Sequence, residues 1–257
     1  MNLFGRLYEY RELFKSNVKK EIRGKYKGSF LGILWSFINP LLTVLVYAIV
    51  FPYILKVNTD NYLLFLIIGI IPWTFFTTVI FNGTTSILIN ANIIKKVYFP
   101  REILPISVAA SGLVNFFISC VIIFAFIIFS GVGLSIYAIW LPVIAVLQTL
   151  LSLGIILITS SINIYVRDLE YIVTFIVNLL FYATPIIYSI DMFPEKYRWI
   201  LKINPLATII GSYRDILFYK RMPNLVDLSI AVAVSFILLF FGYIIFRKLE
   251  KGFAEEV

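Results

Sequence analysis

Long apolar runs separated by short polar loops dominate this sequence. Six runs reach the length of about 20 residues that a helix needs to cross the hydrocarbon core of a bilayer. No charged residue lies near the middle of any of them. The pattern predicts an all-α integral membrane protein with six transmembrane helices, at Leu34–Leu55, Tyr62–Ile89, Ile103–Ser130, Tyr137–Ile162, Tyr171–Ile190 and Val226–Phe246.

The composition supports lipid as the solvent for these runs. Hydrophobic residues make up 61% of the 257 residues and charged residues only 14%. The mean hydropathy is +0.95. A soluble domain of this length carries about 25% charged residues. One water-soluble core is too small to bury so much apolar surface.

The distribution of Lys and Arg predicts the orientation in the membrane. The N-terminal segment, the loops after spans 2 and 4 and the C-terminal tail together hold 15 of the 22 basic residues, and the opposite side holds seven. Cytoplasmic loops are enriched in Lys and Arg. Both termini are therefore expected in the cytoplasm. The net charge of +8 is read as this topological signal, and no nucleic-acid partner is expected.

The segment 1–30 is predicted to be a cytoplasmic amphipathic helix that precedes a membrane domain at 31–257. Apolar residues recur in it at steps of three or four, which places them on one helical face; they are Leu3, Leu7, Tyr10, Phe14, Val18 and Ile22. Such a helix lies in the membrane interface. It serves either as a plain anchor or as a docking element for a cytoplasmic partner.

The stretch between spans 5 and 6 is predicted to hold two short helices, either re-entrant or interfacial. Asn204 is a favourable N-cap and Pro205 suits the first helical position. The apolar face that follows is too short to span a bilayer alone. A surface loop with a single interfacial helix is the alternative.

The sequence offers little for catalysis or metal binding. It has no histidine, one cysteine (Cys120) and no G-x-x-x-x-G-K-[ST] phosphate loop. Asp168 and Glu170 form the one close acidic pair near the membrane, and such loop pairs are usually helix caps. We therefore expect no catalytic residue, no metal site and no cofactor in this chain.

Aromatic residues are the positive chemical signal, at 17% of the chain. Tyr and Trp combine an apolar ring with a hydrogen-bond donor, which suits the faces and hydroxyl edges of sugars. The candidates for lining a transport path are Tyr47, Trp73, Phe76, Tyr182 and Tyr188. Packing or lipid contact is an equally valid interpretation for any one of them.

Three segments, taken in order, carry a family resemblance. They are YKGSFLGILWSFINPLL from Tyr26, KKVYFPREILP from Lys95, and the stretch with NIYVRDLEYIV, FYATPIIYSIDMFP and NPLATIIGSYRDILF. Together they resemble the permease subunit of type-2 ABC exporters of O-antigen, capsular or teichoic-acid polysaccharides. The resemblance covers nearly the whole chain.

The resemblance implies the partners. They are a second copy of the chain, two copies of a cytoplasmic ATPase that carries ATP and Mg²⁺, membrane lipids and a lipid-linked glycan, in the bacterial cytoplasmic membrane. It also implies that segment 91–102 is a coupling element seated on the ATPase. Its expected contacts are Lys95, Lys96, Tyr98, Phe99, Pro100, Arg101 and Glu102.

Segment 185–220 is implied to gate the outer exit, with Pro185, Asn204, Pro205, Tyr213 and Arg214 as its key residues. Other functions are compatible with parts of this interpretation. A type-2 ABC exporter of a drug, lipid or peptide has the same fold with another cargo. An ATP-independent flippase or carrier, and a membrane glycosyltransferase using Asp168 and Glu170, are the alternatives from other classes.

Overall fold

The computed structural model describes residue 5 and residues 8–24, 28–55, 61–192 and 194–256, and every regular element in these ranges is helical. The helices, numbered here in chain order, are α1 Arg11–Gly24, α2 Trp35–Leu55, α3 Tyr62–Ile89, α4 Ala91–Ile94, α5 Ile103–Phe129, α6 Leu141–Asn163, α7 Leu169–Tyr182, α8 Arg198–Ile203, α9 Pro205–Leu217, α10 Leu225–Leu249 and α11 Phe253–Glu256.

Four stretches among the described residues are long and apolar enough to cross a membrane: Tyr62–Ile89, Ile103–Phe129, Ile136–Asn163 and Leu225–Gly252. They include α3, α5, α6 and α10 and coincide closely with four of the six predicted spans. The other two predicted spans correspond to α2 and α7. Of these, α2 has 21 residues, a length that suits a membrane crossing.

Helix α7 is shorter than the predicted fifth span, Tyr171–Ile190. It has 14 residues and ends at Tyr182, so it extends for about 21 Å. Pro185 accounts for the early end, because proline lacks an N–H and disfavours the helical conformation of the residue before it. Residues 183–190, which are mostly apolar, instead form a folded turn.

Helix α3 lies at the centre of the bundle. Every residue from Leu64 to Trp73 is buried, and α3 packs against α2, α5, α6, α7 and α9. Helix α10 packs mainly on α6, where Gly154 and Gly242 face each other. A Cβ at Gly154 would lie 2.7 Å from the backbone nitrogen of Leu239, so glycine is what permits this close approach.

Helix α1 packs across α5. The predicted stripe residues Tyr10, Phe14, Val18 and Ile22 are half-buried, whereas Leu3 and Leu7 lie outside the described residues. The Lys20 ammonium donates a hydrogen bond of 2.9 Å to Asn90 Oδ1 at the end of α3. The amphipathic helix is thereby joined to the same end of the bundle as segment 91–102.

Helices α8 and α9 occupy the stretch between α7 and α10. Helix α9 packs against α3, α6 and α10, and most of its residues are buried. Asn204 caps it by accepting a hydrogen bond of 3.0 Å from the Leu206 amide. Helix α9 is therefore an internal part of the bundle rather than an exposed interfacial helix.

Candidate functional site

The first candidate site, which we call the coupling segment, is residues 91–102 between α3 and α5. After the single turn of α4, the chain leaves helical structure until α5 begins. Lys95, Lys96 and Tyr98 are exposed, and Tyr98 has 90% of its surface accessible. A tyrosine this exposed between two helices is available for contact with another protein.

Phe99 and Glu102 lie inside the chain rather than on this exposed face. Phe99 is 5% exposed and packs in a small apolar cluster with Ile94, Phe246 and Phe253. Glu102 is 1% exposed. The structure therefore favours an anchoring role for these two residues over the direct contact with a partner that the sequence suggested. Pro100 is half-buried beside them.

Arg101 fastens the coupling segment to the C-terminal tail, which we define as residues 249–256. Its guanidinium donates a hydrogen bond to the Glu250 carbonyl and lies 5.7 Å from the centre of the Phe253 ring. Tyr165, from the loop after α6, donates a hydrogen bond of 2.8 Å to the Leu249 carbonyl. Hydrogen bonds thus join the coupling segment and the loop after α6 to the C-terminal tail.

The sequence did not point to the C-terminal tail as part of this site. Phe253 has no exposed surface, although it follows a run of charged residues. Its signal was a large aromatic residue after the last span in an otherwise polar segment. The pattern alone does not show what such a residue contacts.

The second candidate site, which we call the exit turn, is residues 183–190 after α7. Arg214 of α9 donates hydrogen bonds to the carbonyls of Pro185 and Ile186. The same guanidinium lies 3.6 Å from the centre of the Phe65 ring. Gly69 makes room for it, since a Cβ there would lie 2.7 Å from Arg214 Nη2.

Asn204 adds a second connection to the exit turn. Its Nδ2 donates to the Ala183 carbonyl at 3.2 Å and to Thr184 Oγ1 at 2.9 Å. Pro205 follows as the first residue of α9. One asparagine therefore binds the end of α7 and begins α9, and the predicted gate residues Pro185, Asn204, Pro205 and Arg214 lie together.

Tyr213 is fully buried, and the neighbouring gate residues Arg214 and Pro185 are buried as well. Its ring lies 5.6 Å from that of Phe116 on α5. Tyrosine hydroxyls close the exit turn from other directions: Tyr188 donates to the Tyr182 carbonyl at 2.9 Å, and Tyr62 donates to the Ile187 carbonyl at 2.8 Å. Tyr213 is thus placed as a packing residue.

The predicted path-lining aromatics divide by burial. Trp73 and Phe76 are 8% and 1% exposed, so they face the interior of this chain. Tyr47 and Tyr188 are half-buried, and Tyr182 is 69% exposed. Phe181, which the sequence did not single out, lies 5.5 Å from Trp73, 5.8 Å from Tyr47 and 5.3 Å from Tyr182.

The described residues include no group of three or more His, Cys, Asp or Glu side chains placed to hold a metal ion. Asp168 and Glu170 are exposed at the start of α7. The two candidate sites are thus an exposed segment and a hydrogen-bonded turn.

Long apolar helices, with an exposed loop at one end of the bundle and a hydrogen-bonded turn at the other, are typical of a multi-pass membrane protein. A family model described as ABC-2 type transporter matches residues 12–218. The chain belongs to this family.

Relatives matching nearly the full length carry more specific names. An O-antigen export system permease protein RfbA of Klebsiella pneumoniae is 40% identical over 92% of this chain and 91% of its own length. A protein of the same name from Myxococcus xanthus is 33% identical over the whole of both chains. The polysialic acid transport protein KpsM of Escherichia coli is 22% identical over 91% of this chain and 92% of its own length.

Proposed function

We propose that this chain is the membrane-spanning subunit of an ATP-driven exporter that moves a lipid-linked polysaccharide, of the O-antigen, capsule or teichoic-acid type, across the bacterial cytoplasmic membrane. The observation that carries the proposal is similarity along nearly the whole chain to permeases named for O-antigen export. The polysialic acid transport protein extends that similarity to a second kind of glycan.

The geometry of the coupling segment supports an ATPase partner. Its exposed face presents Tyr98 with two lysines, while Phe99 anchors the segment in the chain. Tyrosine is one of the residue types enriched among those that contribute most to protein–protein binding. The segment therefore provides a lever through which movement of the ATPase reaches α3 and α5. ATP and Mg²⁺ belong to the ATPase, and this chain acts as a transport subunit.

The proposed orientation places the coupling segment, α1 and the C-terminal tail in the cytoplasm. These three elements lie at one end of the bundle and contact each other through α5 and Arg101. The excess of basic residues on the same side supports this placement. The exit turn then lies at the outer face, with α8 and α9 as the gate elements of segment 185–220.

The proposed assembly is a homodimer with two ATPase copies. Helix α7 has a broad exposed face that contains Phe175, Leu179 and Tyr182 together with the polar Asn178. An amide is costly in contact with lipid hydrocarbon. A second copy, with a polar path between the two, provides a better environment for this face.

Dependence on the ATPase tests the proposed function. Cells expressing this chain with and without its ATPase are assayed for glycan at the cell surface and for lipid-linked glycan inside. We expect surface glycan only when both chains are present, and accumulation of lipid-linked glycan when either is missing. Export without the ATPase contradicts the proposal. Accumulation of another lipid or a drug, identified by mass, favours the alternative cargo.

Tyr98→Ala tests the coupling segment. Loss of a central exposed aromatic contact typically weakens an interface by about 2 kcal/mol or more, or roughly 30-fold. We expect weaker retention of the ATPase in co-purification and a matching loss of surface glycan. Phe129→Ala is the control, because Phe129 is 86% exposed at the other end of the bundle. Equal effects of the two substitutions contradict a docking role for Tyr98.

A further inference from the structure

A polar groove runs between α3 and α5. It begins at the end of the bundle that holds the coupling segment, which we call the coupling end, and extends toward the middle of the bundle. It consists of two adjoining cavities of about 310 Å³ and 580 Å³ that share Thr78, Gly112 and Asn115. Residues Lys20 and Glu21 of α1 border the first cavity, and the start of α2 borders the second. One continuous groove therefore connects the amphipathic helix to the membrane bundle.

Polar side chains line this groove as two facing stripes. They recur at steps of three or four along each helix, so they share one helical face. The stripe on α3 is Thr74, Thr78, Asn82 and Ser86, and that on α5 is Ser111, Asn115 and Ser119. Both helices are otherwise strongly apolar. A row of amides and hydroxyls here requires a polar neighbour.

Several side chains that border the groove have hydrogen-bond donors and acceptors that no other described residue uses. Within the described ranges, the side chains of Asn39, Thr74, Thr78, Asn82 and Ser119 make no hydrogen bond to another residue. The hydroxyls of Ser86 and Ser111 donate only to backbone carbonyls of their own helices. Unmade hydrogen bonds are costly away from water. A ligand rich in hydrogen-bonding groups would satisfy them.

The aromatic rings and charged side chains that border the groove indicate which class of ligand it can bind. Trp35 and Phe75 border the second cavity and offer apolar ring faces. At the first cavity, Lys20 and Glu21 carry opposite charges, and burial raises the pKa of the Glu21 carboxyl while Lys20 opposes part of that shift. The lining is therefore not strongly cationic, as a phosphate site would be.

We propose that this groove binds a neutral sugar unit of a membrane glycolipid within each single subunit. Amides and hydroxyls both donate and accept, which matches sugar hydroxyls, and the two rings match the apolar faces of a sugar. The inference rests on the proposed function and deepens it. It adds a glycan contact at the coupling end, separate from the path between two subunits.

Protection of a cysteine from labelling tests this site in the full chain in lipid nanodiscs. Cys120 is replaced by alanine, Thr78→Cys reports on the groove, and Val121→Cys reports on an exposed face of α5. Dodecyl maltoside is the probe, and dodecyl phosphocholine is the matched lipid-like control. At about ten times its dissociation constant, a bound ligand slows labelling about tenfold. We expect maltoside to slow the Thr78→Cys reaction alone, and phosphocholine to slow neither.

A second set of variants ties the protection to the polar stripe. Thr74→Val with Asn82→Leu, added to the Thr78→Cys chain, should abolish protection while leaving the melting temperature within a few degrees of the parent. Retained protection in that variant, or equal protection by phosphocholine, overturns the inference.

The outcomes also separate this inference from the proposed function. ATPase-dependent export by a wild-type chain that shows no maltoside protection removes the groove site and leaves the exporter. Protection without ATPase-dependent export supports a glycolipid-binding groove and removes the exporter.

Discussion

At the scale of single residues, Arg214 is the side chain that connects α9 to the exit turn. It is 4% exposed and donates to two carbonyls that have left helical structure. A buried carbonyl without its partner costs about 1–3 kcal/mol. We expect Arg214→Gln to lower the melting temperature of the purified chain by several degrees. Surface glycan should fall in parallel, because the turn loses its fixed shape.

Arg221→Gln is the matched control for this substitution. Arg221 bonds Asp215 at 2.6 Å, but its side chain is 66% exposed. Exposed ion pairs contribute about 0–1 kcal/mol. The melting temperature should therefore hardly move. If both substitutions shift it equally, Arg214 has no special role in holding the exit turn.

The sequence placed Arg214 in the gate segment but did not indicate what it does there. Its acceptors lie 28 and 29 residues earlier in the chain. The cap formed by Asn204, by contrast, was predictable, because its Leu206 partner is two residues away. Local hydrogen bonds follow from spacing, whereas distant ones depend on how the helices pack.

At the scale of elements, the C-terminal tail is the unexpected part of the coupling end. Phe253 packs 5.4 Å from Phe246 and is fully buried beside Phe99. Replacing a buried Phe by Ala costs about 3–5 kcal/mol locally. We expect Phe253→Ala to leave the ATPase bound but to loosen the coupling segment. ATP hydrolysis by the complex should continue while surface glycan falls severalfold.

Glu255→Ala serves as the control in the tail, since Glu255 is exposed on the same short helix, α11. It should change neither hydrolysis nor export. If Phe253→Ala reduces hydrolysis and export by the same factor, the tail supports folding or assembly of the complex rather than coupling. The two readouts therefore distinguish a connecting role from a merely stabilising one.

Element boundaries show what periodicity can and cannot predict. The apolar runs predicted α3 and α10 to within a few residues, because length and hydropathy define a spanning helix. The same criterion extended the fifth span to Ile190, eight residues beyond the end of α7. Residues 183–190 are mostly apolar, and residues 184–187 are buried in a turn. Hydropathy alone does not separate a buried turn from a membrane helix.

At the scale of the whole molecule, burial divides the aromatic residues that were predicted to line a transport path. Trp73 and Phe76 point into the bundle, whereas Tyr182 lies on the exposed face of α7. Aromatic content follows from composition, but the side of a helix that each ring occupies depends on the neighbours of that helix. The exposed face of α7 is therefore the part of the predicted path that a second copy of the chain can complete.

A cysteine cross-link tests the proposed homodimer. With Cys120 replaced by alanine, Phe175→Cys places a thiol on the exposed face of α7, and Ile237→Cys places one on the exposed face of α10. Two-fold assemblies bring the same surface of both copies together. In native membranes, a short bifunctional maleimide should yield a species of twice the mass from Phe175→Cys only. Cross-linking through Ile237→Cys alone would instead assign the contact between copies to α10 and leave α7 facing lipid.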